Sequence, residues 1–224
     1  MNKLNDVSLV IATYNEEKSI EFVLKEIEKY DFHEIIIIDG NSTDSTKELA
    51  SKFNTTVYNQ TSPGWGSAVI DGFNKATGTY LTYMDGDGSY RPESIIEMRD
   101  LIEDYDAVFG SRYKDGNKSP DDTFIRAIGN KIFTFIVRTI FGIKITDSLF
   151  FYPLFKKSDF DKISPKSNDF TICIEIPVLL HKLGIEYFDL LSTERKRYAG
   201  ITKVNALTDG IKILVGILRL RIGI

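Results

Sequence analysis

A single cysteine, Cys173, stands in a chain of 224 residues, so no disulfide can form within it and an oxidising compartment is not required. Histidine is nearly as scarce. His33 and His181 sit in unrelated contexts, which disfavours a zinc enzyme. Long apolar runs are missing too: the longest uncharged one in the apolar C-terminal segment is Ile213 to Leu218, far short of the ~20 residues that span a bilayer. Residues Met1 to Asp6 lack the apolar core of a signal peptide, so the expectation is a cytoplasmic protein. There is no internal repeat and no tract of low complexity.

What is present suits one sizeable α/β domain: 42% of residues are hydrophobic and 27% charged, ordinary for a soluble globular chain. The net charge of −4 hides an asymmetry. Residues 194–224 carry seven basic and two acidic side chains, +5, against −9 for the first 193. A basic, apolar tail on an acidic body points to an anionic surface or ligand at that end. Nucleic acid fits less well, because the basic residues alternate with Ile, Leu and Val and not with stacking aromatics.

The first half alternates strand and helix patterns. Val7 to Ile11, Ile35 to Ile38, Thr55 to Asn59, Thr79 to Met84 and Ala107 to Gly110 read as strands, mostly of the uninterrupted apolar kind that is buried on both faces. Between them, Ile20-Val23-Leu24-Ile27, Thr46-Leu49-Ala50-Phe53 and Val69-Gly72-Phe73-Ala76 keep helical spacing. A fourth helix opens at Pro92 and runs through Ile95, Met98 and Ile102. Such alternation implies a mostly parallel sheet flanked by helices, whose ligands bind beyond the carboxyl ends of the strands. Polar residues stand at those ends: Tyr14-Asn15-Glu16, Asp39, then Asp85 and Asp87.

After residue 115 the pattern changes. Asp115 to Asp122 reads as a loop, and Ile125 to Ile145 and Asn205 to Ile224 read as apolar helices. The latter carries a narrow polar stripe of Asp209, Lys212, Gly216, Arg219 and Gly223. Both are too interrupted to span a membrane and are expected to lie at its interface or to pack as a helical layer. The expected division is a globular body over 1–193, changing character between a half over 1–115 and a half over 116–193, and a basic amphipathic segment over 194–224.

Asp85-Gly86-Asp87 is the tripeptide with the clearest chemistry. Two carboxylates one residue apart on a strand-end turn can hold a divalent ion such as Mg²⁺ or Mn²⁺ against diphosphate oxygens, with Gly86 allowing close backbone approach. The tripeptide alone is common in turns; its place after an apolar strand singles it out.

In order along the chain, Val10 to Glu17, Ile38 to Asp44, Gly64-Trp65-Gly66-Ser67-Ala68 and Asp85-Gly86-Asp87 resemble the signature of family 2 glycosyltransferases, which have a GT-A (Rossmann-like) fold. Gly110-Ser111-Arg112-Tyr113, Arg126 with Gly129-Asn130, Thr146-Asp147, and Arg197 followed by Gly200-Ile201-Thr202-Lys203 are similar to the dolichol-phosphate mannosyltransferase branch, which moves a sugar from a nucleotide to a polyprenyl phosphate. The resemblance implies that Ala12, Tyr14, Glu16, Asp39 and Ala68 lie at the nucleotide, with Tyr14, Glu16 and Asp39 lining base and ribose. Asp85 and Gly86 would adjoin the nucleotide and metal, and Asp87 would be the principal metal ligand. Arg112 would face the phosphates, and Arg126 and Arg197 would grip the acceptor phosphate, with Lys203 either helping or simply solvated. GDP-mannose or a UDP-sugar would be the donor, and the enzyme would sit peripherally on the cytoplasmic membrane face.

Three positions depart from that pattern: Gly40 replaces a second aspartate, Ser89 a glutamine, and Phe151-Tyr152-Pro153 a Gly-Phe-Arg segment. Two rivals stand beside this reading. One is a transferase acting on a sugar or protein hydroxyl, with Glu175 as base. The other is a sugar-phosphate nucleotidyltransferase, which also uses carboxylate-bound metal at strand ends.

Overall fold

Val7–Thr13 forms β1, and every residue but Ala12 is buried, as its apolar run requires. The computed structural model describes residues 4–120, 123–200 and 206–223. β1 pairs in parallel with β2 (Glu34–Asp39) on one side and β4 (Tyr80–Asp85) on the other, and β2 pairs in parallel with β3 (Thr56–Asn59). The helices between them are α1 (Ile20–Ile27), α2 (Thr46–Ala50) and α3 (Trp65–Lys75). On α3, Gly72 meets β1 so closely that a Cβ there would lie 2.2 Å from the Val10 side chain.

The far half of the sheet comprises β5 (Ala107–Ser111), reached through α4 (Glu93–Leu101), then β6 (Pro153–Lys156) and β7 (Tyr187–Leu191). The order across seven strands is β3-β2-β1-β4-β6-β5-β7. β6 runs antiparallel to both β4 and β5, whereas β7 is parallel to β5. The sheet is thus mostly parallel, with one reversed strand wedged in, and its chain order switches direction between β1 and β4. That crevice, beyond the carboxyl ends, is where ligands bind in such sheets.

Beyond β5 a short 3-10 turn, Lys114–Gly116, precedes α5 (Phe124–Phe141). Thr123 caps α5, accepting from the Arg126 amide, and Gly142 ends it in the left-handed conformation at φ 75°, three residues before the expected limit. α6 (Lys157–Phe160) and α7 (Ile172–Lys182) follow β6. α8 (Ala206–Ile222) closes the chain, packed against α5 and α7 through Ile213 and Ile217. No helix among the described residues is long and apolar enough to cross a membrane.

Candidate active site

Two cavities open at the carboxyl ends of the strands. The first, about 520 Å³, lies over β1 and β4, between the loop after β2 and the start of α3. Ala12, Tyr14, Glu16, Ala68, Asp85, Gly86 and Asp87 all line it. The loops that shape it are held by side chains: Asn15 Oδ1 accepts from the Thr43 backbone amide at 2.8 Å, and the Asn15 backbone amide donates to the Ser42 hydroxyl at 2.9 Å. Asn15 and Asn41 both take positive φ, a conformation that asparagine tolerates. Asp39 does not reach the cavity surface. It is fully buried, accepting from Thr13 and from both the amide and hydroxyl of Ser42, so it anchors the Gly40–Asn41 turn that does line the cleft.

Asp85 ends β4 and accepts from the Tyr83 hydroxyl and, at 3.3 Å, from the Trp65 indole. Burial, then the neighbouring Asp87 charge, push its carboxyl up to about 7. Asp87 Oδ1 accepts from the Ser89 amide at 2.9 Å, and Oδ2 pairs with Arg197 at 3.2 Å. Arg197 comes from segment 194–198, which lies along the 85–89 turn: the Tyr198 amide donates to the Asp87 carbonyl and the Arg195 amide to the Ser89 carbonyl.

The second cavity, about 260 Å³, shares Asp85, Phe170 and Arg197 with the first. Arg112 and Arg126 join Arg197 on its wall beside the polar side chains of Asn130, Glu194 and Asp209, and between them stand apolar ones: Ile125 and Phe133 from α5, Phe150, and Ile213 from α8. Arg112 is held by a forked pair with Asp147, at 2.8 and 3.1 Å, a further contact to Glu194, and the Phe150 ring beneath it. Asp147 also accepts from Asn130 on α5, whose neighbour Thr134 bonds Ser148.

A model of the family described as glycosyl transferase family 2 matches residues 8–164. The chain belongs to that family. Glycosyltransferase AglJ of Haloferax volcanii is 31% identical over 207 residues, covering 91% of this chain and 68% of that protein. A UDP-N-acetylglucosamine–dolichyl-phosphate N-acetylglucosaminyltransferase of Methanococcus voltae is 27% identical, covering 97% and 96%. The dolichol-phosphate mannosyltransferase of Pyrococcus furiosus is 35% identical over 134 residues, 56% of this chain but 38% of its own length. Among solved structures, glucosyl-3-phosphoglycerate synthase from Mycobacterium tuberculosis, in complex with Mn²⁺, UDP and glucosyl-3-phosphoglycerate, superposes with a TM-score of 0.73 at 20% identity, covering 97% of this chain and 80% of that one. The GT-A fold expected from the motifs is the one found.

The family 2 motifs therefore converge on one face, in two adjoining cavities. Of the residues singled out from the sequence, Asp39 stands behind the first cavity, Arg112 is engaged with carboxylates, and Ile201 to Lys203 lie outside the described residues. Glu175 lines neither cavity. Its two oxygens accept from the Lys166 and Ser167 amides at 3.0 and 2.7 Å, fixing a loop whose Asn168 carbonyl receives the Gly66 amide at the start of α3. Trp65, Phe170, Glu194 and Asp147 contribute to the site without having been assigned roles beforehand. Trp65 stacks on Phe170 at 5.0 Å while donating to Asp85. Trp65 lay within a recognised motif and Asp147 beside Thr146 in another; Phe170 and Glu194 carried no sequence signal.

Proposed function

We propose that this family 2 glycosyltransferase moves a hexose from a nucleoside-diphosphate sugar to a polyprenyl phosphate, with inversion, at the cytoplasmic face of a membrane. One observation carries the reading: a cavity with paired aspartates joins, through Asp85 and Arg197, a second cavity whose wall sets three arginines, with the carboxylates of Glu194 and Asp209, among apolar side chains. The first suits a nucleotide, with the N-terminus of α3 at its edge to favour diphosphate. The second suits a phosphate ester with a hydrocarbon tail. Relatives named for dolichyl-phosphate transfer support the same acceptor.

The donor set fits a divalent cation. Asp85, half-buried, and Asp87, buried, stand one residue apart; desolvation and then the Asp87 charge raise Asp85, and a cation would relieve the repulsion between them. Carboxylate oxygens suit a hard cation, so Mg²⁺ or Mn²⁺ would be held by Asp85 and Asp87 together with phosphate oxygens and water. When bound, such an ion stabilises negative charge on the departing diphosphate. Arg197 then exchanges Asp87 for phosphate, and Arg126 binds the acceptor phosphate. An acceptor oxygen attacks the anomeric carbon, forming the new C–O bond as the bond to the diphosphate breaks. The acceptor phosphate is anionic at neutral pH, so no base is required.

Outside the cavities, α5 presents Phe124, Ile128, Ile132 and Phe135 to solvent, with Ile125 exposed at the mouth of the second, and α8 presents Ile211, Leu214, Val215, Leu218 and Ile222. Lys131, Arg138, Arg219 and Arg221 stand among them, all exposed. This combination supports peripheral contact with an anionic lipid surface.

The test is a screen of purified protein with Mn²⁺, membrane lipids and, in parallel, radiolabelled GDP-mannose, UDP-glucose and UDP-N-acetylglucosamine. Metal-dependent label in an acid-labile lipid, lost in Asp87→Ala, is the expected result. Metal-dependent nucleotide release with no labelled lipid would move the acceptor to a hydroxyl, and pyrophosphate release would point to nucleotidyl transfer.

A further inference from the structure

Segment 194–198 is fastened to the body from beneath as well as along its length. The Arg195 guanidinium makes a forked pair with Glu26 on α1, with one arm at 2.7 Å, and donates through Nε to the Gly88 carbonyl at 2.6 Å. It lies over the Phe22 ring at 5.2 Å, and Tyr198 stacks on that same ring at 4.1 Å, nearly parallel at 9°. Gly88 permits this approach. It has φ +80°, and a Cβ there would lie 3.0 Å from Tyr198 Cβ. All these contacts converge on α1 and the 85–89 turn, and the residue they bracket is Arg197, which lines both cavities.

We propose that Arg195 is a positioning residue for transfer: clamped by Glu26 and Phe22, it holds segment 194–198 so that Arg197 stands where the two cavities meet. This rests on the reading of that junction as the place where donor and acceptor phosphates come together. Arg195 faces α1 and lines neither cavity, so any effect on transfer passes through the segment it holds, where Arg197 is the residue that lines both cavities. The forked geometry needs a guanidinium, which a lysine does not supply.

A double-mutant cycle tests this. Transfer is followed as release of nucleoside diphosphate, a product common to lipid and hydroxyl acceptors, so a wrong acceptor shows only as unlabelled lipid and leaves the cycle readable. Arg195→Ala should lower kcat/KM by roughly tenfold or more, the scale of a misplaced charge-assisted contact. In the Arg197→Ala background the same change should cost less than about twofold, because its target is gone. Arg195→Lys should fall between. Amide hydrogen exchange on the metal-free protein supplies a readout apart from turnover: Arg195→Ala should speed exchange at Tyr198, whose N–H meets Asp87, and leave β1 protected. Equal losses in both backgrounds, no loss, or faster exchange spread into β1 would overturn the proposal. If Arg195→Ala does not fold, Glu26→Gln replaces it in the same cycle. Absence of nucleoside diphosphate release by the unaltered enzyme would overturn both this proposal and the functional reading.

Discussion

At the scale of single residues, the two aspartates of the turn after β4 are unequal. Asp87 is paired with Arg197, whereas Asp85 is surrounded by uncharged donors and pushed up to about 7, first by burial and then by Asp87. In an unfolded chain Asp85 ionises near 4. Between about 4 and 7 the folded protein therefore holds a proton that the unfolded chain has lost, and stability falls as pH rises through that window. Melting in chelator should show this decline, and Asp85→Asn should remove part of it, on the order of 5 °C. Binding of Mn²⁺ with a nucleoside diphosphate should strengthen over the same window, since a ligand carboxylate must lose its proton. A second residue-scale prediction concerns Glu175. Its carboxylate accepts two backbone amides, so Glu175→Gln should cost about 1–3 kcal/mol in unfolding free energy, while the folded variant keeps most of its turnover. Loss of turnover with unaltered stability would favour a base role and a hydroxyl acceptor. The sequence located the Asp85 pair because the apolar strand before it is plain. It could not reveal that Asp39, at another strand end, turns inward to Ser42 and Thr13.

Among elements, the legible ones were those with simple periodicity. The apolar runs of β1, β2 and β4 and the amphipathic faces of α1 and α3 follow directly from residue spacing. β6, α7 and β7 were not anticipated. β6 has four residues and begins with proline; β7 is half-buried without alternation. α7 is buried at every position from Ile172 to Val178 and contains Pro177, so it has no polar face to set a period. Packing between elements gives its own prediction. Gly216 on α8 sits so close to α7 that a Cβ would lie 2.4 Å from the Thr171 side chain. Gly216→Val should lower the melting temperature and loosen α8, with a cost of about 1–3 kcal/mol from overpacking. Binding of nucleoside diphosphate, at the other end of the site, should change little. A variant as stable as the parent would mean that α8 does not bear on α7 there.

For the molecule as a whole, the sheet brings residues from opposite ends of the chain to one crevice: Tyr14 and Glu16 from the first loop, Asp85 and Asp87 from the middle, Arg197 from the last segment. Glu26 and Arg195 pair across 169 positions, a relation no local pattern could reveal. The apolar faces of α5 and α8 border the second cavity, so a lipid acceptor and a membrane surface would be met on the same side. Truncation after Ala206 should accordingly reduce sedimentation with anionic vesicles more than it reduces nucleotide binding; equal loss of both would give α8 a purely structural role. The central claim is that the nucleophile is a phosphate on an apolar chain. It is tested most directly by offering the purified enzyme a synthetic isoprenoid phosphate and the matching isoprenoid alcohol, with labelled donor and Mn²⁺. Transfer to the phosphate alone, in an acid-labile linkage and weakened at least about tenfold by Arg126→Ala, is the predicted result. Transfer to the alcohol, or phosphate transfer indifferent to Arg126, would contradict it.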